Sequence, residues 1–195
     1  MIAGGHRPFT VLTVCTGNIC RSPLAAQLLE AKLGRGGDFR VVSAGTMAQD
    51  GAPMDETAAE LSTALGGDPS RHGATYLTER VVAEADLVLT ASREHRAAVA
   101  TLLPRAARKT FTLRQFARLA DAVDRAELVA AEGPEAVVAL GGAARGYAPP
   151  ALDPEDDDIV DPYRRSRSTH ELAASIVDEA VASAAAALSA PGRVG

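Results

Sequence analysis

Cysteine and lysine are nearly absent from this 195-residue chain, and no long apolar run interrupts it. Its two cysteines, Cys15 and Cys20, lie five positions apart with no others to pair with, which excludes the disulfide framework of a small secreted domain. The longest apolar stretch near the N-terminus, Phe9 to Val14, carries two threonines and is too short for a signal-peptide core or a bilayer span. A cytoplasmic protein is expected. No long basic block occurs and the net charge is −5, so neither nucleic acid nor a membrane surface is expected as the main partner. Among 20 basic residues only Lys32 and Lys109 are lysines; with the abundant alanine, this bias follows GC-rich coding and points to a bacterial source. No repeat of fixed period is found.

What is present is the composition of a globular protein, 47% hydrophobic and 23% charged, expected to form one domain over residues 1–195. Phe9 to Val14 is β-rich and apolar on both faces, as a central parallel strand requires. Ser22-Pro23 predicts a helix start, with serine as N-cap and Leu24, Leu28, Leu29 and Leu33 on one face; Gly34 and Gly36-Gly37 end it. Further strands are expected at 39–43 and 86–90, a short one at 109–112, and helices at 55–65 and 93–103. Strands alternating with helices predict an α/β fold, a single three-layer domain around a parallel sheet. The segment 112–158 carries capping signals and then a proline-rich acidic stretch, and is expected to be peripheral. Ser168 to Glu171 predicts the cap of a last helix bearing Leu172, Ile176, Val177, Ala180 and Val181, and the tail 190–195 is expected to be loose.

The chemistry concentrates between the first strand and the first helix, in Cys15-Thr16-Gly17-Asn18-Ile19-Cys20-Arg21-Ser22. A loop of backbone N–H groups leading into a helix N-terminus is an anion site, because amide donors and the helix dipole converge there. The same donors favour the nucleophilic, anionic form of a thiol at Cys15. Arg21 can offer a planar, bidentate guanidinium to a tetrahedral phosphate. Gly17 permits close approach or positive φ, Asn18 tolerates a left-handed turn and can brace the loop, and Ser22 can both cap the helix and donate to sulfur. A lone cysteine six residues before an arginine would be read as a buried thiol and a surface charge; strand, loop, Ser-Pro and helix together are far more specific.

From Val14 to Pro23 the chain resembles the low-molecular-weight protein tyrosine phosphatase family without a break, and the resemblance continues at 43–46, 51–55, His72-Gly73-Ala74, 86–89 and Asp161-Pro162-Tyr163. It implies a four-stranded parallel sheet flanked by helices with the loop at the carboxyl end of the first strand. It also implies a cysteine-dependent, metal-independent phosphatase without cofactor. Such an enzyme hydrolyses phosphotyrosine on proteins through a phosphocysteine, releases inorganic phosphate and is expected to be monomeric. Cys15 would be the nucleophile, Thr16 to Ser22 the phosphate cradle, Arg21 the clamp and Asp161 the general acid. Ser43 and His72 match positions that brace the loop asparagine, and Tyr163 would line the rim. Cys20 could be packing, a redox partner or a direct participant; the resemblance implies a thiol that bonds Cys15 on oxidation. Asp156, Asp157 and Asp158 are expected to favour protonation of the acid if they approach it.

Rival functions share the loop. With no cysteine after Cys20, an arsenate reductase would need an external thiol. A protein arginine phosphatase is expected to carry threonine where Ile19 stands, and isoleucine better suits a phenyl ring. A non-catalytic phosphate-binding module would have no need of nucleophile, clamp and acid together.

Overall fold

The first strand, β1, runs from Phe9 to Cys15 and is buried at every position, as its apolar two-faced pattern requires. The computed structural model describes residues 7–192. Around β1 the chain forms α1 (Arg21–Leu33), β2 (Phe39–Gly45), α2 (Glu56–Ala64), α3 (Glu79–Glu84), β3 (Leu87–Thr90), α4 (Arg93–Leu102) and β4 (Thr110–Thr112). Then follow α5 (Leu113–Asp121), α6 (Arg125–Ala130), α7 (Pro134–Ala144) and α8 (Arg167–Leu188). The strands form one parallel sheet in the order β2-β1-β3-β4. Because β1 pairs on both sides, the order reverses beside it, and the crevice beyond its carboxyl end is where open α/β sheets take ligands.

Side-chain alternation divides the core in two. Phe9, Val11 and Cys15 of β1 join Leu87 and Leu89 of β3 under α1, α5 and α8, while Leu12 and Val14 join Val88 under Val82 of α3 and Val99 of α4. The first layer is the thicker. Phe111 of β4 meets Phe116 of α5 edge to face, with ring centroids 5.3 Å apart.

Four expectations need correction. Ser22 does not cap α1: the cap position falls on Cys20, which makes no side-chain cap bond, because the Ser22 hydroxyl is used by the loop described below. The segment 112–158 is not merely peripheral, since Leu113, Phe116, Leu119 and Val137 are in the main core; the apolar face of α5 packs on α8, a partner distant in sequence. The last helix starts earlier, with Ser166 accepting from the Thr169 N–H. In the tail, Ala190 is buried and the Gly192 N–H donates to Val129 O at 3.1 Å; residues 193–195 lie outside the described residues. Among the described residues no helix is long and apolar enough to cross a membrane.

Candidate active site

Cys15 is the last residue of β1, and the loop after it turns tightly enough to bring chain positions 15, 18 and 22 into contact. The Asn18 N–H lies 3.3 Å from Cys15 Sγ and Ser22 Oγ lies 3.0 Å from it. Asn18 Nδ2 donates to Ser22 Oγ at 2.9 Å, and Ala44 O lies 3.3 Å from the same hydroxyl. Ser22 has one proton to give, so receiving from Asn18 leaves that proton for the sulfur or for Ala44.

Asn18 is the hinge of the turn. Its φ is 56°, a left-handed conformation that asparagine tolerates better than most residues; the positive φ expected as an option for Gly17 falls here instead. The side chain is wholly buried and wired on every side. Besides the bond to Ser22, its Oδ1 accepts from the Thr75 N–H at 2.8 Å, and its main-chain carbonyl lies 2.8 Å from His72 Nε2. The brace expected from Ser43 is absent: among the described residues Ser43 makes no hydrogen bond to Asn18. It pairs with Thr13 two positions before the end of β2 and lines a shallow groove with Pro23 and His72, one strand-repeat short of the loop. His72 is pushed below its ordinary pKa, chiefly by burial.

The loop carbonyls are drawn outward. Cys15 O accepts from Thr46 N–H, Thr16 O from Met47 N–H and Ile19 O from Asp55 N–H, at 2.9 to 3.0 Å. A trans peptide points its N–H opposite its C=O, so the amides are left for an anion. Gly45 allows the end of β2 to lie directly under this turn: a Cβ there would sit 2.4 Å from Thr16 O and 2.8 Å from the Asn18 nitrogen.

Sequence reasoning missed His95. It is buried on α4, with Nε2 2.8 Å from Thr16 Oγ1 and Nδ1 2.6 Å from Ser92 Oγ. Burial, and secondarily the Arg21 charge, push its pKa down, so the neutral ring is favoured. The only available signal was its spacing of four from Val99 on one helical face.

Arg21 is buried and reaches across to the far end of the chain. Its Nη1 donates to Ile159 O at 3.3 Å, its Nη2 lies 2.8 Å from Asp161 Oδ2, and its Nε has no partner among the described residues. The other oxygen of Asp161 accepts from the Tyr163 N–H at 3.1 Å. Cys15, Ile19, Arg21, Met47, Asp161 and Tyr163 thus share one cleft of about 340 Å³, with Tyr163 and Met47 exposed at its rim. Cys20 also lines it, as a free thiol pushed up to about 12, first by burial and then by Asp55.

The three acidic residues before Asp161 are occupied elsewhere. Asp156 caps its own turn by accepting from the Asp153 N–H, Asp157 pairs with Arg118 at 3.0 Å, and Asp158 takes the Arg93 N–H at 2.7 Å and its guanidinium at 3.0 Å. Arg114 Nη1 also donates to Asp158 O, and the Ile159 N–H donates to Ala91 O. Asp157 and Asp158 thus fasten the segment carrying Asp161 to α5 and α4.

A sequence profile of the family described as low molecular weight phosphotyrosine protein phosphatase matches residues 10–128. Over 80 residues the chain is 46% identical to a Ralstonia nicotianae protein named "Probable low molecular weight protein-tyrosine-phosphatase EpsP", a match spanning 41% of this chain and about half, 53%, of that relative. It is 38% identical over 109 residues to a protein-arginine-phosphatase of Geobacillus stearothermophilus, covering 56% of this chain and 72% of that one. The crystal structure of the tyrosine phosphatase AmsI of Erwinia amylovora superimposes with a TM-score of 0.69 at 26% identity, covering 96% of this chain and 97% of the other.

Proposed function

The chain belongs to the low molecular weight phosphotyrosine protein phosphatase family, and from that premise we propose that it is a metal-independent protein phosphatase acting on phosphotyrosine through a phosphocysteine. The observation that carries this reading is one cleft holding Cys15 Sγ beside two hydrogen-bonding groups, a buried Arg21 with an unpartnered Nε–H, and Asp161 at 2.8 Å from that arginine. Cys15 sulfur attacks phosphorus, forming an S–P bond as the P–O bond to the leaving group breaks. Asp161, with its side chain about half exposed and so able to exchange protons with water, supplies the proton to the leaving oxygen. Arg21 and the loop amides hold the phosphoryl oxygens as charge redistributes. Asp161 then takes a proton from a water that attacks phosphorus, the S–P bond breaks, and phosphate leaves with Cys15 restored.

The leaving group meets Ile19, Met47, Ala52 and Tyr163, walls that favour a phenyl ring over a guanidinium. Phosphotyrosine, phosphoarginine and phosphoserine peptides assayed without metal test the reading. Phosphotyrosine is expected to turn over fastest, Cys15→Ser to abolish turnover, and Asp161→Asn to lower it by about 10²- to 10⁴-fold. Activity surviving Cys15→Ser would sink the mechanism, and a preference for phosphoarginine would transfer the reading to the Geobacillus relative's named activity.

A further inference from the structure

A second cleft, of about 490 Å³, lies between α4, α5 and the end of α7, and four arginines and Asp157 are in its lining. Arg93 and Arg96 stand three apart on α4, Gln115 and Arg118 three apart on α5, and Arg145 follows α7; this spacing places each pair on one helical face. The segment supplying α5, α7 and Arg145 is the one that from sequence looked like a peripheral addition.

The charges in this cleft do not balance. Arg118 pairs with Asp157 and Arg93 with Asp158, while Glu155 and Asp153 add a weaker field at Arg93 without an ion pair. Among the described residues Arg96 has only a neutral partner, Gln115 Oε1 at 2.8 Å. Arg145 donates to Thr110 O at 2.9 Å and lies 4.0 Å over the Phe111 ring, again with no carboxylate partner among the described residues. Of the four guanidiniums two are ion-paired, which leaves Arg96 and Arg145 without a carboxylate partner among the described residues, on a protein whose net charge is −5. The two uncompensated groups are also near enough to repel: after desolvation, the Arg96 charge is what pushes the Arg145 pKa down.

We propose that this cleft binds a phosphorylated small molecule, its phosphate dianion bridging Arg96 and Arg145 and its remainder lying along Leu119, Ala148 and Pro150. A dianion matches the residual charge, and guanidinium forks match phosphate geometry. The concave shape, with an apolar wall beside the arginines, suits a small ligand rather than a nucleic-acid backbone. The site shares no lining residue with the Cys15 cleft. It shares Arg118 and Arg93 with the clips that fasten the Asp161 segment, so the ligand competes with Asp157 and Asp158 for them.

Inorganic pyrophosphate is the probe. Titration calorimetry of Arg21→Met, which removes the clamp of the Cys15 cleft, is expected to show one bound equivalent. Adding Arg96→Gln is expected to weaken that binding by about tenfold or more, the loss of a charge-assisted contact, and Arg96→Lys to restore part of it. Should Arg21→Met fail to fold, the same comparison runs in the otherwise unaltered chain: Arg96→Gln loses one of two equivalents while its aryl phosphate turnover stays unchanged. Absence of any pyrophosphate bound outside the Cys15 cleft, or binding indifferent to Arg96→Gln, overturns the site.

Discussion

Two thiols in one loop meet different surroundings. Cys15 meets an N–H and a hydroxyl; Cys20 meets apolar neighbours and the field of Asp55, and is pushed up to about 12. A thiol of that pKa stays protonated across the physiological range and reacts slowly. In the folded protein at pH 7.5, Cys20 is therefore expected to resist iodoacetamide and to be labelled only after denaturation, as peptide mass mapping would read; prompt labelling when folded would contradict its burial. The two histidines held low make a second prediction. For His72 and His95 the native pKa lies below the unfolded value of about 6.5. Above that value both states are neutral and stability is complete. As pH falls below it, the unfolded chain takes up protons that the native one refuses, so stability is lost. Around His95, Arg21 adds to this while Glu94, Asp161 and Asp158 oppose it. The urea midpoint should fall between pH 7 and 5, and His95→Gln should flatten the fall; an equal slope in that variant would remove His95 from the account. His95 was not legible in the sequence because its partner Thr16 is 79 positions away. The loop from Cys15 to Ser22 was legible because the residues that meet the sulfur, Asn18 and Ser22, lie within seven positions of Cys15.

At the scale of elements, the acid segment is held by its flanks. Asp158 sits at the first turn of α4, where it takes the Arg93 N–H as well as the guanidinium, a place where the helix dipole favours an anion. Asp158→Ala is expected to cost about 1–3 kcal/mol of stability and to lower turnover of an aryl phosphate by up to about 10²-fold through misplacement of Asp161, with KM little changed. Unchanged turnover in a destabilised variant would show that the clip holds the fold and not the acid. Elements with long apolar runs or clear caps, such as β1, α2 and α5, were readable in the sequence. The six-residue α3 was not, being too short to display a period. The burial of α5 was hidden too, since an amphipathic face does not say what covers it.

Across the whole molecule, the cradle and its acid draw on every strand. β1 supplies Cys15, β2 ends in Gly45 beneath the loop, Ala91 after β3 ties both Val14 and Ile159, and α5 after β4 sends Arg114 to Asp158 O. A parallel α/β fold was readable from the alternation of strands and helices; the convergence of distant segments was not, because Arg21 and Ile159 are 138 positions apart. None of the four strands can therefore open and leave the site assembled. Heat or urea is expected to abolish aryl phosphate turnover and the far-UV circular dichroism at the same midpoint, whereas an earlier loss of turnover would reveal a separately melting part. That convergence at the sheet's carboxyl edge makes the reaction a thermometer: a sample's rate, divided by its concentration, reads out the fraction of molecules that are folded.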